Sequence, residues 1–303
     1  MATKTSPSIL LVGGSGFVSG ALARQAVAQG WQVWAVTRGQ RALPAGVTPL
    51  TADRRDPAAF EAAVTGAVRA WDLVVECIGY DPADARQDVD VFRGRAGHFV
   101  FISTDFVYDA AHRRYPQSEE TDDYHGEGYG LKKRQCEQVL IESGSAMPWT
   151  VVRPCHVYGP GSLLGSMPLH RRDARLIERM RAGETLRLAA GGRFLHHPIF
   201  ADDLARVVLG LAGNQQAFGQ IFNAAGPDLV ETAEYYRIVG RCLGVEPQIE
   251  EVSVSDVLAA HPEEALSCLN RYYDLSKLRA LGTYLPDTPL EDGLRAHVAS
   301  LLG

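Results

Sequence analysis

The sequence predicts an α/β protein, a doubly wound parallel sheet followed by a smaller C-terminal lobe. Three observations predict it. Short, near-continuous apolar runs alternate with helical patterns up to residue 153, a glycine-rich turn follows the first run, and the rhythm changes after Pro154. Runs without polar alternation suit strands covered on both faces, and β-α-β alternation with right-handed crossovers makes the sheet parallel.

In order, residues 9–12, 32–36, 47–51, 73–76, 99–103 and 150–153 read as strands. Between them lie helical patterns at 17–29, 57–65 (with Pro57 suited to a first turn), 82–92 and 126–143. Gly159-Pro160-Gly161 then breaks the chain, a charged helix is expected at 173–181, and Gly191-Gly192 breaks it again. Residues 202–211 read as a helix, 221–223 as one more strand, and 231–243, 275–281 and 290–302 as helices. There is no internal repeat and no low-complexity segment.

Composition excludes several classes. The 303 residues are 46% hydrophobic and 22% charged, which supplies a core and rules out disorder. A net charge of −6 does not steer the chain toward nucleic acid. No apolar run is long enough to span a bilayer, and residues 1–8 lack a secretory signal. Five scattered cysteines without a CxxC pair read as reduced thiols of a cytoplasmic protein. Nine histidines without an HExxH pattern give no expectation of a metal site.

The first strand runs into Val12-Gly13-Gly14-Ser15-Gly16-Phe17-Val18-Ser19-Gly20, then a helix. Such a turn aims backbone N–H groups and a helix N-terminus at a pyrophosphate with no Cβ in the way. Gly13 and Gly16 fit the first two glycines of a G-x-x-G-x-x-G spacing, with Ser15, Phe17 and Val18 beside them. Ser19 takes the third position and Gly20 comes one residue late. A Rossmann-type sheet binding a dinucleotide follows, over residues 1–160 and completed by 199–223. Residues 161–198 and 224–303 are left for a substrate lobe.

Cofactor choice is read after strand two, where Val36-Thr37-Arg38-Gly39-Gln40-Arg41 carries no acid. A carboxylate there would hold a ribose 2′-OH, whereas Arg38, seconded by Arg41, suits a 2′-phosphate. NADP is therefore favoured, with NAD as the alternative. Asp53 and Arg54 follow strand three near the adenine, and Cys77 follows strand four on the cofactor side.

Tyr129-Gly130-Leu131-Lys132-Lys133 places Tyr129 and Lys133 on one helix face. A phenol is a poor base at neutral pH. An ammonium at about 4–5 Å, with an effective dielectric of about 20, stabilises the phenolate by roughly 3–4 kcal/mol. That would make Tyr129 an acid/base near pH 7. Tyr273 and Lys277 share the spacing but lie in the tail, and read as structural.

With those residues, the chain resembles the extended short-chain dehydrogenase/reductase family of the NAD-dependent epimerase/dehydratase type. The likeness runs through the glycine turn, Ser103-Thr104-Asp105-Phe106-Val107-Tyr108, Tyr129 to Lys133, and Arg153-Pro154-Cys155-His156-Val157-Tyr158-Gly159-Pro160. It continues in Asp202-Asp203-Leu204-Ala205, Asn223-Ala224-Ala225-Gly226 and Tyr273 to Lys277. The resemblance implies that Thr104 holds the substrate hydroxyl, that Pro154 and His156 lie beside the nicotinamide, and that Arg193 grips a sugar-nucleotide diphosphate. It departs from the family between strand four and its helix, where the stretch is short and the usual dimer is put in doubt. That shortening is also similar to chloroplast RNA-binding relatives. Phe106 stands where 4,6-dehydratases carry a Glu, which disfavours dehydration, and Thr104 to Asp109 is similar to NADPH-dependent keto-sugar reductases.

The expectation is an oxidoreductase or epimerase acting on a nucleotide sugar or similar polyol. Thr104, Tyr129 and Lys133 would be the catalytic set, with Thr104 and Arg193 toward substrate. The alternative is a non-catalytic RNA-binding or regulatory relative that kept the epimerase-like fold. The cluster Arg171, Arg172, Arg175, Arg179 and Arg181 reads as a solvated helix face.

Overall fold

The computed structural model describes residues 6–166 and 168–303. The polar start at residues 1–5 lies outside them. The first strand, β1 (Ser8–Val12), shows why the sheet is two-sided. Its odd residues, Ile9 and Leu11, enter one apolar cluster, and its even residues, Leu10 and Val12, enter another. A period of two with every position apolar demands cover on both faces.

The cover comes from helices in the crossovers. Helix α1 (Phe17–Ala28) leads to β2 (Gln32–Thr37) and β3 (Val47–Thr51). Helix α2 (Pro57–Ala67) starts at Asp56, whose carboxylate accepts from Ala59 N–H at 3.1 Å ahead of Pro57. After β4 (Leu73–Glu76), helix α3 (Pro82–Phe92) is capped reciprocally by Asp81 and Asp84. Strand β5 (Phe99–Ile102), helix α4 (Gly128–Glu142) and β6 (Trp149–Pro154) complete the run. An acid at the cap with proline just inside is the usual helix start, and both α2 and α3 use it.

Beyond β6 come β7 (Val157–Tyr158), α5 (Leu176–Arg181), β8 (Leu186–Ala189), β9 (Leu195–His196) and β10 (Ile199–Phe200). Helix α6 (Ala201–Gly210) packs on α1, and β11 (Gln220–Ala224) returns to pair with β6. The central sheet is all parallel, in the order β11-β6-β5-β4-β1-β2-β3. The order reverses at β1, so a crevice opens between the ends of β1 and β4, where Val12 pairs with Glu76.

Beyond β11 come β12 (Val230–Glu231), α7 (Thr232–Leu243), β13 (Ile249–Val252), α8 (Val254–Ala260), α9 (Ser276–Ala280) and α10 (Leu290–Leu302). Helix α9 packs on β11, with Leu278 in the cluster that holds Ile9 and Leu11. A separate apolar cluster gathers Leu176, Met180, Tyr235, Tyr236 and Leu294. The sequence reading does not contain β7, β9, β10, β12 or α8, it starts α4 at 126 rather than 128, and further details differ from it. The charged helix starts at Leu176 rather than 173, because Asp173 turns back to accept from Arg175 N–H at 2.8 Å. The parallel pair β8–β13 was not anticipated: each strand is four residues long, and they lie sixty residues apart.

The segments of the second half that resemble the family act as braces. Asn223 accepts from the Tyr108 hydroxyl at 2.6 Å and donates to Gln117 O at 2.9 Å. Asp203, buried on α6, accepts from the Tyr284 hydroxyl and from Thr288 N–H. The outward residues of α3 and α4 include the exposed, polar Arg86, Asp90, Lys132, Gln135 and Gln138, with Ile141 exposed beside them. Among the described residues no helix is long and apolar enough to cross a membrane.

Candidate active site

Two clefts meet at the crevice. One, of about 680 Å³, runs from the glycine turn across the ends of β2 and β3 and includes Gly13, Ser15, Arg38, Asp53 and Arg54. The other, of about 490 Å³, lies over the ends of β4, β5 and β6 and includes Phe17, Val18, Cys77, Thr104, Tyr129, Lys133, Pro154 and His156. They share Gly16, Ser19, Ile78 and Tyr80. End to end, they suit an extended dinucleotide.

The turn has the build such a ligand needs. Gly14 sits at φ 127°, and a Cβ there would lie 2.5 Å from the Ala35 side chain on β2. Only glycine fits. Ser19 serves at the third position because its hydroxyl accepts from Gly16 N–H at 3.1 Å, bracing the turn from within the helix.

Arg38 and Arg41 edge the first cleft and have no carboxylate partner among the described residues. Arg54 behaves differently from expectation. Its guanidinium is spent on Glu76 at 2.6 Å and on Asp84 and Asp88 at 3.1 Å, so it braces the cleft floor and is not a free donor to a ligand. Asp53 keeps a carboxylate at the cleft while one oxygen accepts from Arg55 N–H.

In the second cleft, α4 presents Tyr129 and Lys133 on one face. Gly130 lets the helix approach, since a Cβ there would lie 2.1 Å from Phe106 O. Tyr129 is 48% exposed, with its ring 6.4 Å from Tyr80 and 6.5 Å from Phe106. Lys133 is 1% exposed and donates to Gly79 O at 2.8 Å and Ile102 O at 2.6 Å. The expected electrostatics therefore need correction. Two of the three ammonium protons go to carbonyls of the sheet edge rather than toward the phenol. Burial, then the neighbouring Tyr80 and Asp105, push Tyr129 up to about 12, against a hydrogen bond with Thr104 that pulls it down. Burial pushes Lys133 down to about 8.

Thr104 is buried at the end of β5, and its Oγ1 accepts from Phe106 N–H at 3.2 Å. Burial holds His156 well below its ordinary range, with the charges of Arg271 and Arg172 acting the same way, so the ring is neutral. Burial pushes the Cys77 thiol up and makes it unreactive.

The structure does not bring Arg193 to either cleft. It is exposed on the turn after β8 and pairs with Glu251 of β13 at 2.5 Å. The cleft is instead lined by Arg171, Arg172 and Arg271. Arg171 and Arg172 precede α5 rather than forming its solvated face. Arg171 pairs with Glu264, and the Arg172 guanidinium lies 5.3 Å from the Phe17 ring. Arg271 is buried and donates from Nε and Nη2 to Asp105 at 2.9 and 2.6 Å. Its Nη1 has no partner among the described residues. The Tyr273 hydroxyl also donates to Asp105, which makes the second Tyr-x-x-x-Lys pair structural support for the first.

The model for the NAD dependent epimerase/dehydratase family matches residues 9–225, which include the glycine turn, Thr104, Tyr129 and Lys133. The chain belongs to that family. It is 24% identical over 245 residues to the chloroplast stem-loop binding protein of 41 kDa b of Arabidopsis thaliana, covering 76% of this chain and 61% of that one. It is 26% identical over 205 residues to the uncharacterized UDP-glucose epimerase YtcB of Bacillus subtilis, covering 67% and 60%. The match thus spans about 60% of the length of these curated relatives. Among solved structures, UDP-glucuronic acid 4-epimerase from Bacillus cereus, in complex with UDP-glucuronic acid and NAD, shares the fold. Its TM-score is 0.76 at 17% identity, covering 97% of this chain and 99% of that one.

Proposed function

We propose that the chain catalyses hydride transfer between a nicotinamide dinucleotide and a carbinol or keto carbon of a nucleotide sugar, as an epimerase or a keto-sugar reductase. The observation that carries this reading is the convergence of Thr104, Tyr129 and Lys133 on one wall of a cleft continuous with the glycine turn.

The glycine turn, Asp53, Arg38 and the segment from Pro154 to His156 would hold the dinucleotide, whose bound nicotinamide supplies or accepts the hydride. Thr104 orients the reacting oxygen, and Tyr129 exchanges its proton. A phenol held at about 12 is protonated at neutral pH and equipped to donate, which suits reduction of a ketone. Lys133, anchored on two carbonyls, fixes the wall against which the ribose would lie. Positioning of this kind supplies much of the rate.

The substrate class rests on charge. The lining of this cleft carries Arg171, Arg172 and Arg271; Glu264 takes the charge of Arg171 and Asp105 that of Arg271, which leaves Arg172 as the positive charge in excess. A diphosphate between sugar and base answers that excess. The UDP-glucuronic acid bound by the Bacillus cereus relative supports the same reading. Asp105 is engaged by Arg271 and Tyr273, and Phe106 follows it, so among the described residues lining this cleft no free acid pair stands ready for dehydration.

Denaturing the purified protein and identifying any released dinucleotide tests the reading. Tightly held NAD supports an epimerase, and an empty protein that takes up NADPH supports a reductase. A protein that takes up neither overturns the proposal. The likeness to a stem-loop binding protein supports RNA binding as a second reading, for which a salt-dependent RNA affinity without dinucleotide uptake would be decisive.

Unpaired Arg38 and Arg41 favour the 2′-phosphate of NADP. Arg38→Asp is expected to weaken NADP about 10- to 100-fold more than NAD in fluorescence titrations, the range of a lost charge-assisted hydrogen bond. Equal losses would remove Arg38 from the choice.

A further inference from the structure

We propose that Tyr80 is a positioning residue of this site, the ring that shields the Lys133 ammonium and flanks Tyr129 where the two clefts meet. The inference deepens the proposed hydride-transfer site and rests on it for its meaning.

Tyr80 follows β4 and lines both clefts. Its backbone is pinned, because its N–H donates to Asp84 Oδ2 at 2.9 Å and the carbonyl before it, Gly79 O, accepts from Lys133. Gly79 itself is wedged: a Cβ there would lie 2.9 Å from the Phe101 ring and 3.1 Å from Glu76 Cγ. The ring that this loop projects is half exposed, 5.5 Å from Lys133 Nζ and 6.4 Å from the Tyr129 ring. Phe101 closes the other side, its centroid 4.1 Å from Nζ.

The ammonium is thus enclosed by two aromatic faces and two carbonyls. The titratable groups that face it are Glu76 and Cys77 from β4 and its loop, and Cys136 and Glu137 from α4. Glu76 is tied to Arg54 and Glu137 to Arg153. Phe101 lies inside the fold, whereas Tyr80 is the outer cover and the part whose loss admits water. At 5.5 Å the attraction of the Tyr80 face for the cation is the smaller effect, since the nearer Phe101 ring remains, and the larger one is that the ring keeps water from the ammonium; a smaller aliphatic side chain keeps it out less completely.

The test needs neither substrate nor cofactor. The sequence has four lysines, so protein labelled with ¹³C at lysine Cε gives few signals, and Lys133→Arg assigns the one of interest. Its titration midpoint is followed in wild type, Tyr80→Phe and Tyr80→Leu, with melting temperatures measured alongside. Tyr80→Leu is expected to raise the Lys133 midpoint by about one pH unit or more toward the ordinary lysine value. Tyr80→Phe, which keeps the ring, is expected to stay at the wild-type midpoint, and Lys132 and Lys277 to be unmoved throughout. A Lys133 midpoint unchanged in Tyr80→Leu overturns the proposal, as does one moved equally by Phe and Leu. Should Tyr80→Leu fail to fold, Tyr80→Gln, which removes the ring at a half-exposed position, is judged by the same two outcomes. An unchanged midpoint in a protein that still transfers hydride would reject Tyr80 alone, whereas loss of dinucleotide uptake bears on the function and not on this titration.

Discussion

Tyr129→Phe is expected to lower turnover by about 10²- to 10⁴-fold, the range that a positioned proton donor supplies. The expectation is sharp because the substitution removes so little else. The ring keeps its contacts with Tyr80 and Phe106, and the lost hydroxyl gives up its hydrogen bond with Thr104. Melting temperature and dinucleotide affinity should therefore stay near wild type while the rate collapses. Thr104 cannot take over, since an aliphatic hydroxyl is a far weaker acid than a phenol. Steady-state rates at saturating dinucleotide check this directly, and activity surviving the change would mean that another group moves the proton.

What the sequence made legible follows from the range of the forces involved. Strand β1, its glycine turn and α1 were readable because periodicity, glycine geometry and helix starts act within about twenty residues. The same holds for α3, whose bounds and capping acids are local. The spacing of Tyr129 and Lys133 correctly put both on one face of α4. It could not say where a four-carbon side chain would aim its charge, and Lys133 turned to the carbonyls of Gly79 and Ile102. Arg271 was missed for a related reason. It lies 166 residues from Asp105, and no local pattern marks an arginine that meets its acid only after folding. Its one sequence signal was its place two residues before Tyr273, at the edge of a segment that resembled the family. Arg193 shows the converse: a motif likeness suggested a ligand, but its loop lies beside β13, where Glu251 takes the charge.

The largest loss of stability is expected from Glu137→Ala, by about 3–5 kcal/mol. Glu137, fully buried on α4, accepts from Arg153 Nε and Nη2 at 3.0 and 2.6 Å, from Arg134 at 3.0 Å and from the Ser103 hydroxyl at 2.6 Å. Arg153 lies on β6, also buried, beneath the rings of Tyr108 and Tyr124. Removing the carboxylate leaves that guanidinium uncompensated in a dry site, which is why the single change should harm far more than replacing both partners with apolar residues of similar volume. The pH dependence has a definite sign. Burial pushes the Glu137 carboxyl up, but the charge and hydrogen bonds of Arg153, with help from Ser103 and Arg134, pull it further down, so the folded value lies below the ordinary one. The stabilisation is then fully present above the unfolded value of about 4.3 and is lost as pH falls through the folded value. Urea unfolding at pH 7 should show the whole gap between wild type and variant, and the gap should narrow as the pH is taken well below 4. A gap under 1 kcal/mol at pH 7, or one that widens in acid, would show that the Glu137–Arg153 pair does not hold α4 to the sheet. Because α4 also carries Tyr129 and Lys133, whatever folded fraction the variant retains should turn over more slowly than wild type.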